Sequence, residues 1–398
     1  MECIIGRQAI IDRYGKTYGY ELLYRGSETA GDIGGEVATN RVIVNTFINI
    51  GVEKVAGDGR LFINFTRDLI VERLFEALPP DRVVIEVLED VAAEDEVIEA
   101  LKDAKGAGYT IALDDFVFEH HLNRLVEIAD IVKVDFLALS KDEIEKEVKK
   151  YARYPKIRLL AEKVENYEDY TFALSRGFHY FQGYFFQKPR LTIKKELSPH
   201  QGSVLRAMEL SIKGDKEKLI ELISGDVYLH SKILSFVNSP LFGLKRKIKS
   251  VREAVNLLGL RRVREWLNIM YVARLAEDKP NELVVLSTLR AKFMSLLSYK
   301  FSTDSENAYL AGMFSLMDSI LDIPMEDVLK ECNYLDEEVK NALLGKQNRY
   351  FDQLNLIVAI ENQRTETVNE IMKKYGLNVD EINRSFFEAV EFAHTVYS

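Results

Sequence analysis

Polar side chains suited to metal or phosphate recur on, or just after, short apolar runs in the first half of this chain: Glu21, Asn64, Glu86, Asp114 with Asp115, Lys133, Glu162 and Gln182. A strand needs no carboxylate, and an apolar interior penalises an unpaired one, so the repetition points to chemistry. Glu21, Asn64, Glu86 and Asp114 are hard oxygen donors of the kind that suit Mg²⁺ or Mn²⁺, whereas zinc sites favour Cys and His. The neighbouring Asp115 lets one strand end serve two ions, with Asp114 as the bridge. Two ions about 3.5–4 Å apart clamp the attacking and leaving oxygens of a phosphoryl displacement. Lys133 is suited to orienting a nucleophilic water and stabilising developing charge, and Glu162 to acting as ligand or base. Arg25 and Gln182 can hold a phosphate or the edge of a base. Taken singly, each has a structural alternative: Glu21 can pair with Arg25, Asp114-Asp115 can cap a helix, and Lys133 can neutralise Asp135.

The elements that must position this set follow from the apolar pattern. Runs lie near residues 4–10, 18–23, 61–65, 83–88, 109–113, 131–134, 157–160 and 178–181. Asp12-Arg13-Tyr14-Gly15-Lys16 reads as a hairpin turn, which makes the first two strands antiparallel. Helical patterns are expected over 36–55, 91–105, 119–129, 141–151 and 167–176. Strands such as VVIEVL and IALDD are too continuously apolar for a half-exposed sheet and fit strands covered by helices. The repeat is a βα unit, and its polar strand ends place a site across the top of a (β/α)-type barrel.

After Lys188-Pro189 strand signals almost vanish. Asp226–Val237 carries Val227, Ile233, Leu234 and Val237 at helical spacing and stops before Pro240. Ser250-Val251-Arg252-Glu253 opens another helix as a capping box, and Gly259 ends it. The expected organisation is a barrel over 1–190, a linker over 191–198 and an all-α domain over 199–398.

At 398 residues, 47% of them hydrophobic, the chain can bury two ordinary cores. A net charge of −10 argues against non-specific nucleic-acid binding. The local exception is the basic run from Lys245 to Arg264, read here as a solvated face with an acidic partner or nucleic acid as alternatives. No apolar run approaches the roughly 20 residues that span a bilayer, and MECIIGRQAI shows no export signal. With only Cys3 and Cys332, far apart, these features describe a cytoplasmic protein with reduced thiols.

Glu21-Leu22-Leu23-Tyr24-Arg25 resembles the E-A-L-x-R signature of the EAL family of cyclic di-GMP phosphodiesterases. Asn64 in FINFT, Glu86 and Glu89 in IEVLED, Asp114-Asp115-Phe116, Lys133-Val134-Asp135, Ala161-Glu162 with Val164-Glu165, and Gln182-Gly183-Tyr184 follow in the family's order. The resemblance implies a TIM-like barrel with one antiparallel strand, two Mg²⁺ or Mn²⁺ ions, and hydrolysis of cyclic di-GMP to linear pGpG. It also implies that Glu89 steadies the loop that organises the second metal and the barrel's homodimer contact. In this chain that loop reads Val117-Phe118-Glu119-His120-His121 in place of a Gly-Thr-Gly-Tyr-Ser-Ser run, and Lys163 replaces a glycine. Lys163 puts a cation beside the carboxylates, where it can repel a metal or hold a phosphate. Adjacent His120 and His121 point in different directions on a helix and do not converge on one ion.

Asp226–Leu234, Asn238-Ser239, Phe242-Gly243, Ile248-Lys249-Ser250 and Ala254–Gly259 resemble the opening of the HDOD domain, a relative of the HD phosphohydrolases without their metal set. Met317 stands beside Asp318 where the histidine of an HD pair would be, which makes no hard-metal site. The expectation is therefore a bacterial cyclic di-GMP signalling protein. Its divergent EAL barrel binds the dinucleotide or acts as a scaffold with weak or no hydrolysis, and its HDOD module engages a protein partner. An active metal-dependent phosphodiesterase is the alternative.

Overall fold

The structure, a computed structural model, describes residues 3–26, 51–114, 123–190, 197–239 and 242–397. Eight strands close into a barrel in the order of the sequence. They are β1 (Cys3–Asp12), β2 (Thr17–Gly26), β3 (Arg60–Phe65), β4 (Val83–Val87), β5 (Thr110–Leu113), β6 (Ile131–Asp135), β7 (Arg158–Glu162) and β8 (Tyr180–Gln182). The β1–β2 hairpin turns where expected. Asp12 Oδ1 accepts from the N–H of Tyr14 and of Lys16, at 2.8 and 2.9 Å, and Gly15 supplies the left-handed residue at φ 78°. β1 is antiparallel to both neighbours, β2 and β8, while β2 to β8 run parallel.

Inside the barrel Ile10, Phe62, Val84, Ala112, Ile131 and Leu160 form a dry layer, with Tyr18 and Tyr180 packed against it. Side chains two apart on a strand share a face. The next layer along the axis therefore falls on Gln8, Asn64, Glu86, Asp114, Lys133, Glu162 and Gln182. The apolar floor fixes the height of the polar layer above it.

Helices cover the outside at Asp95–Gly106, Asn123–Ile128, Lys141–Tyr151 and Tyr167–Ser175, close to the expected spans. The third of these carries the Ser140–Glu143 capping box. Of the helix expected over 36–55, only residues from 51 onward are described, and there a short helix runs Val52–Ala56.

The chain divides into two compact units, one of residues 1–188 with 355–391 and the other of 189–354 with 392–398. This differs from the expected division, which gave everything after residue 198 to the helical domain. The reason lies on β1. This strand meets β8 only over Ile10–Asp12, and the buried N–H of Ile5 instead donates to Asn383 Oδ1 at 3.0 Å. Gly6 leaves room for the carbonyl of Ile360, which would stand 3.0 Å from a Cβ placed there. Helical periodicity marks an apolar face but does not say which core receives it.

The second unit is helical throughout its described residues. Ser198 and Gln201 form a capping box with Pro199 in the first turn. Asp226 caps Val227–Val237, and Ser250 accepts from the N–H of Glu253 to start Val251–Leu258. Gly259, at φ 77°, ends that helix and begins Leu260–Leu275 at once. Gly312 brings the helix Ser305–Phe314 against Glu282–Phe301: a Cβ at that position would fall 2.4 Å from the backbone nitrogen of Ala291.

Candidate functional site

Seven of the eight strands raise a polar side chain from within their length into one cluster: Gln8, Glu21, Asn64, Glu86, Lys133, Glu162 and Gln182. β5 adds Asp114 immediately after its end. At the centre stands Lys133, fully buried, its Nζ 2.8 Å from Asp114, 3.1 Å from Glu162 and 3.2 Å from Glu21, and in contact with Glu86. Gln182 Nε2 donates to Glu21 Oε2 at 2.6 Å and to Gln8 Oε1 at 2.8 Å. Gln182 is followed by Gly183, at φ 143°, where a Cβ would collide with the Val164 carbonyl at 2.1 Å. Only glycine lets the chain turn out of the barrel at this point.

The cluster is electrostatically strained by design of its composition, four carboxylates against one ammonium. Burial and then the charge of Glu21 push the Glu86 carboxyl well above its usual range. For Lys133, burial opposes the charged form, yet Glu162, Glu21, Glu86 and Asp114 outweigh it and raise its pKa well above normal. Asp114 also suffers burial, but the charge and hydrogen bond of Lys133 win and its pKa is lowered. Lys133 is therefore a fixed cation and not a proton carrier at neutral pH.

The polar layer opens into a pocket of about 360 Å³. It is lined by Glu21, Asn64, Asp114, Glu162 and Gln182 of the polar layer together with Lys163, Glu165, Tyr184, Asn362 and Gln363. Lys163 takes a left-handed backbone at φ 54°, the conformation a glycine would adopt freely. Its Nζ pairs with Asp135 Oδ2 at 2.5 Å. Asp135 also accepts from the N–H groups of Leu137 and Ala138. Asp135 is thus neutralised by Lys163, and the alternative role of Lys133 as its partner does not hold.

Comparison with known proteins identifies both domains. The model of the EAL domain matches residues 35–189 and that of the HDOD domain residues 208–343. An uncharacterized protein of Bacillus subtilis, YuxH, is 36% identical over all of this chain and 99% of its own length. A protein of Vibrio cholerae named cyclic di-GMP phosphodiesterase CdgJ is 30% identical over 98% of this chain and 92% of its own. The chain belongs to the EAL–HDOD proteins. Among solved structures, the manganese/cyclic-di-GMP complex of Klebsiella pneumoniae BlrP1 is 25% identical, at a TM-score of 0.38 over 46% of this chain and 55% of that one.

In this EAL–HDOD protein the EAL match begins after the Glu21–Arg25 motif, and the structure adds β1 and β2 to the same barrel. Of the residues expected to act, Glu21, Asn64, Glu86, Asp114, Lys133, Glu162 and Gln182 come together. Asp115, His120 and His121 and the side chain of Arg25 lie outside the described residues. Glu89 is exposed beyond β4 and does not line the pocket. Sequence reasoning missed Gln8, whose position two residues from Ile10 on β1 is the signal that would have found it. It also missed Asn362 and Gln363, for which no local signal exists.

The donor set suits a hard divalent ion in type. Asn64 Oδ1 and Glu86 Oε2 are buried without a hydrogen-bond partner among the described residues, as oxygens reserved for a cation would be. In the arrangement present the carboxylates converge on the Lys133 ammonium, and no three acidic, His or Cys side chains among the described residues are grouped around a separate point. The fit is therefore one of chemistry, with Glu21, Asn64, Glu86 and Asp114 as the donors.

In the HDOD unit Met317 is buried and Asp318 accepts from the N–H of Ser319. Arg252 of the basic run pairs with both oxygens of Glu217, Arg261 bonds Glu265, and Arg264 donates to the Gly214 carbonyl. Burial pushes the Cys332 thiol up to about 11. Among the described residues no helix is long and apolar enough to cross a membrane.

Proposed function

We propose that the barrel binds cyclic di-GMP and hydrolyses one of its phosphodiester bonds to give linear pGpG, and that the HDOD domain conveys the state of the barrel to a protein partner in the cytoplasm. The observation that carries this reading is the convergence of Glu21, Glu86, Asp114 and Glu162 on Lys133, with Glu21, Asp114 and Glu162 also lining an open pocket. Mg²⁺ or Mn²⁺ held by Glu21, Asn64, Glu86 and Asp114, with Asp115 added for a second ion, would supply Lewis-acid charge and a more acidic water.

The chain's own residues do the rest. Lys133 holds a permanent positive charge where the phosphoryl oxygens gain negative charge. Glu162, at the end of β7, is the carboxylate placed to take the proton of the attacking water. Water adds across the P–O3′ bond, phosphorus keeps the hydroxyl oxygen, and the 3′ oxygen leaves with a proton. Gln182, braced by Glu21 and Gln8, and Arg25 hold the phosphate or base edges. Pairing of Lys163 with Asp135 removes much of the repulsion that a lysine beside the cage would exert on a metal, which favours turnover over a purely structural barrel.

The test is incubation of purified protein with cyclic di-GMP and Mn²⁺, analysed by chromatography, with Glu21→Ala as control. Linear product from the wild type alone supports the hydrolase. No product but retained binding supports the second reading, a receptor, which the convergence of the carboxylates on Lys133, with no separate acidic group among the described residues, favours. Neither binding nor product leaves a scaffold.

A further inference from the structure

We propose that the turn at Asn362–Gln363, far from the EAL motifs in sequence, is a nucleotide-reading wall of the barrel site, and that the Gln363 amide sets its base preference. The inference rests on the reading that the barrel binds cyclic di-GMP. Residues 355–391 belong to the same compact unit as the barrel, and both residues of the turn line the pocket that the acidic layer also lines. The turn is tied to the barrel where β8 leaves it: Tyr184 Oη donates to the Glu361 carbonyl at 2.9 Å. It is also tied to itself. Asn362 Nδ2 donates to the Val358 carbonyl at 2.6 Å, and the N–H of Arg364 to the Ala359 carbonyl at 2.9 Å.

Gln363 sits in this turn at φ 53°, a left-handed conformation that costs a non-glycine residue roughly 1–2 kcal/mol. Glycine would satisfy the turn better, so an exposed glutamine among the residues that line the pocket calls for an explanation outside the fold. The acidic layer gives the pocket carboxylates and amides from Glu21, Asn64, Asp114, Glu162 and Gln182, which suit phosphate with its cations. The bases of a cyclic dinucleotide must then lie at the rim. A primary amide offers donors and an acceptor together: its NH₂ donates to guanine O6 while its carbonyl accepts from N1–H, an order that the N6 amine and N1 of adenine reverse.

The experiment measures equilibrium binding of cyclic di-GMP and cyclic di-AMP to the full chain in the presence of Mn²⁺. The variant is Gln363→Gly, which removes the amide and relieves the backbone, so that a misfolded turn cannot explain a loss. Expected is about tenfold weaker cyclic di-GMP binding, an unchanged or raised melting temperature, and a narrowed preference over cyclic di-AMP; Gln363→Asn, which tolerates the same backbone, recovers part of the affinity. An unchanged affinity and preference in Gln363→Gly, with a wild type that binds, overturns the role of the turn alone. A wild type that retains no cyclic di-GMP overturns the reading of the site, and this inference falls with it.

Discussion

Lys133 Nζ and Asp114 Oδ1 meet at 2.8 Å inside the barrel, and Asp114 is the most exposed of the four carboxylates around that ammonium. The lysine thereby links the dry floor of the barrel to its open mouth. Replacing it with Met leaves several buried carboxylates without a counter-charge. We expect Lys133→Met to abolish turnover and to lower unfolding free energy by about 3–5 kcal/mol in urea titrations. Added Mn²⁺ should restore part of that stability, since a cation would again neutralise the carboxylates. A variant as stable as wild type would show that the cluster is not held by this ion pair.

Gly183 tests the exit of β8. A methyl group there would lie 2.1 Å from the Val164 carbonyl on a backbone at φ 143°. Gly183→Ala is expected to cost about 3 kcal/mol or more, read as a lower urea midpoint, and to displace Gln182. Normal stability would mean that β7 and β8 yield easily at this point.

At Lys163 two effects oppose one another. The left-handed backbone favours glycine by about 1 kcal/mol, while the half-exposed pair with Asp135 contributes at most about that much. Comparing Lys163→Gly with Lys163→Ala isolates the backbone, because both lose the ammonium. The Gly variant should be the more stable by about 1 kcal/mol, seen as a higher melting temperature. Equal melting would contradict the strained backbone.

Asn383 tests the attachment of residues 355–391 to the barrel. Its Oδ1 takes the buried N–H of Ile5. Asn383→Ala orphans that donor and should cost about 1–3 kcal/mol, with faster amide exchange at Ile5 as the specific readout. Unchanged exchange would show that the helices do not protect β1.

Stability in the HDOD unit should depend on pH through Asp226. Burial opposes its charge, but the N–H of Leu229 and Arg274, 2.6 Å away, outweigh burial and lower its pKa. A carboxyl whose folded pKa lies below its unfolded value, about 3.9, stabilises fully above that value. The contribution disappears as pH falls through the folded pKa. Asp226→Asn should therefore cost up to about 1 kcal/mol at pH 7, given solvent screening of this partly exposed pair. The gap from wild type should close in strong acid, and a gap independent of pH would refute the assignment.

Much of this protein was legible in its sequence because strand and helix periods are local. The alternation that buries Phe62, Val84, Ala112 and Leu160 also commits Asn64, Glu86, Asp114 and Glu162 to the same interior face two residues later. Once the hairpin at Asp12–Lys16 reversed β1, a closed barrel with one antiparallel strand followed. Which atoms meet was another matter. Whether Lys133 serves Asp135 or the four carboxylates depends on the barrel's radius and on the left-handed turn at Lys163, and neither is written in spacing. Gln8 could have been found from its spacing to Ile10 on β1. The attachment of residues 355–391 to the barrel, and with it the arrival of Gln363 at the pocket, rests on the Ile5 N–H finding Asn383 Oδ1 and on the missing side chain at Gly6. An amphipathic helix specifies that it must be buried; only the tertiary structure offers the hydrogen-bond partner and the space that decide where.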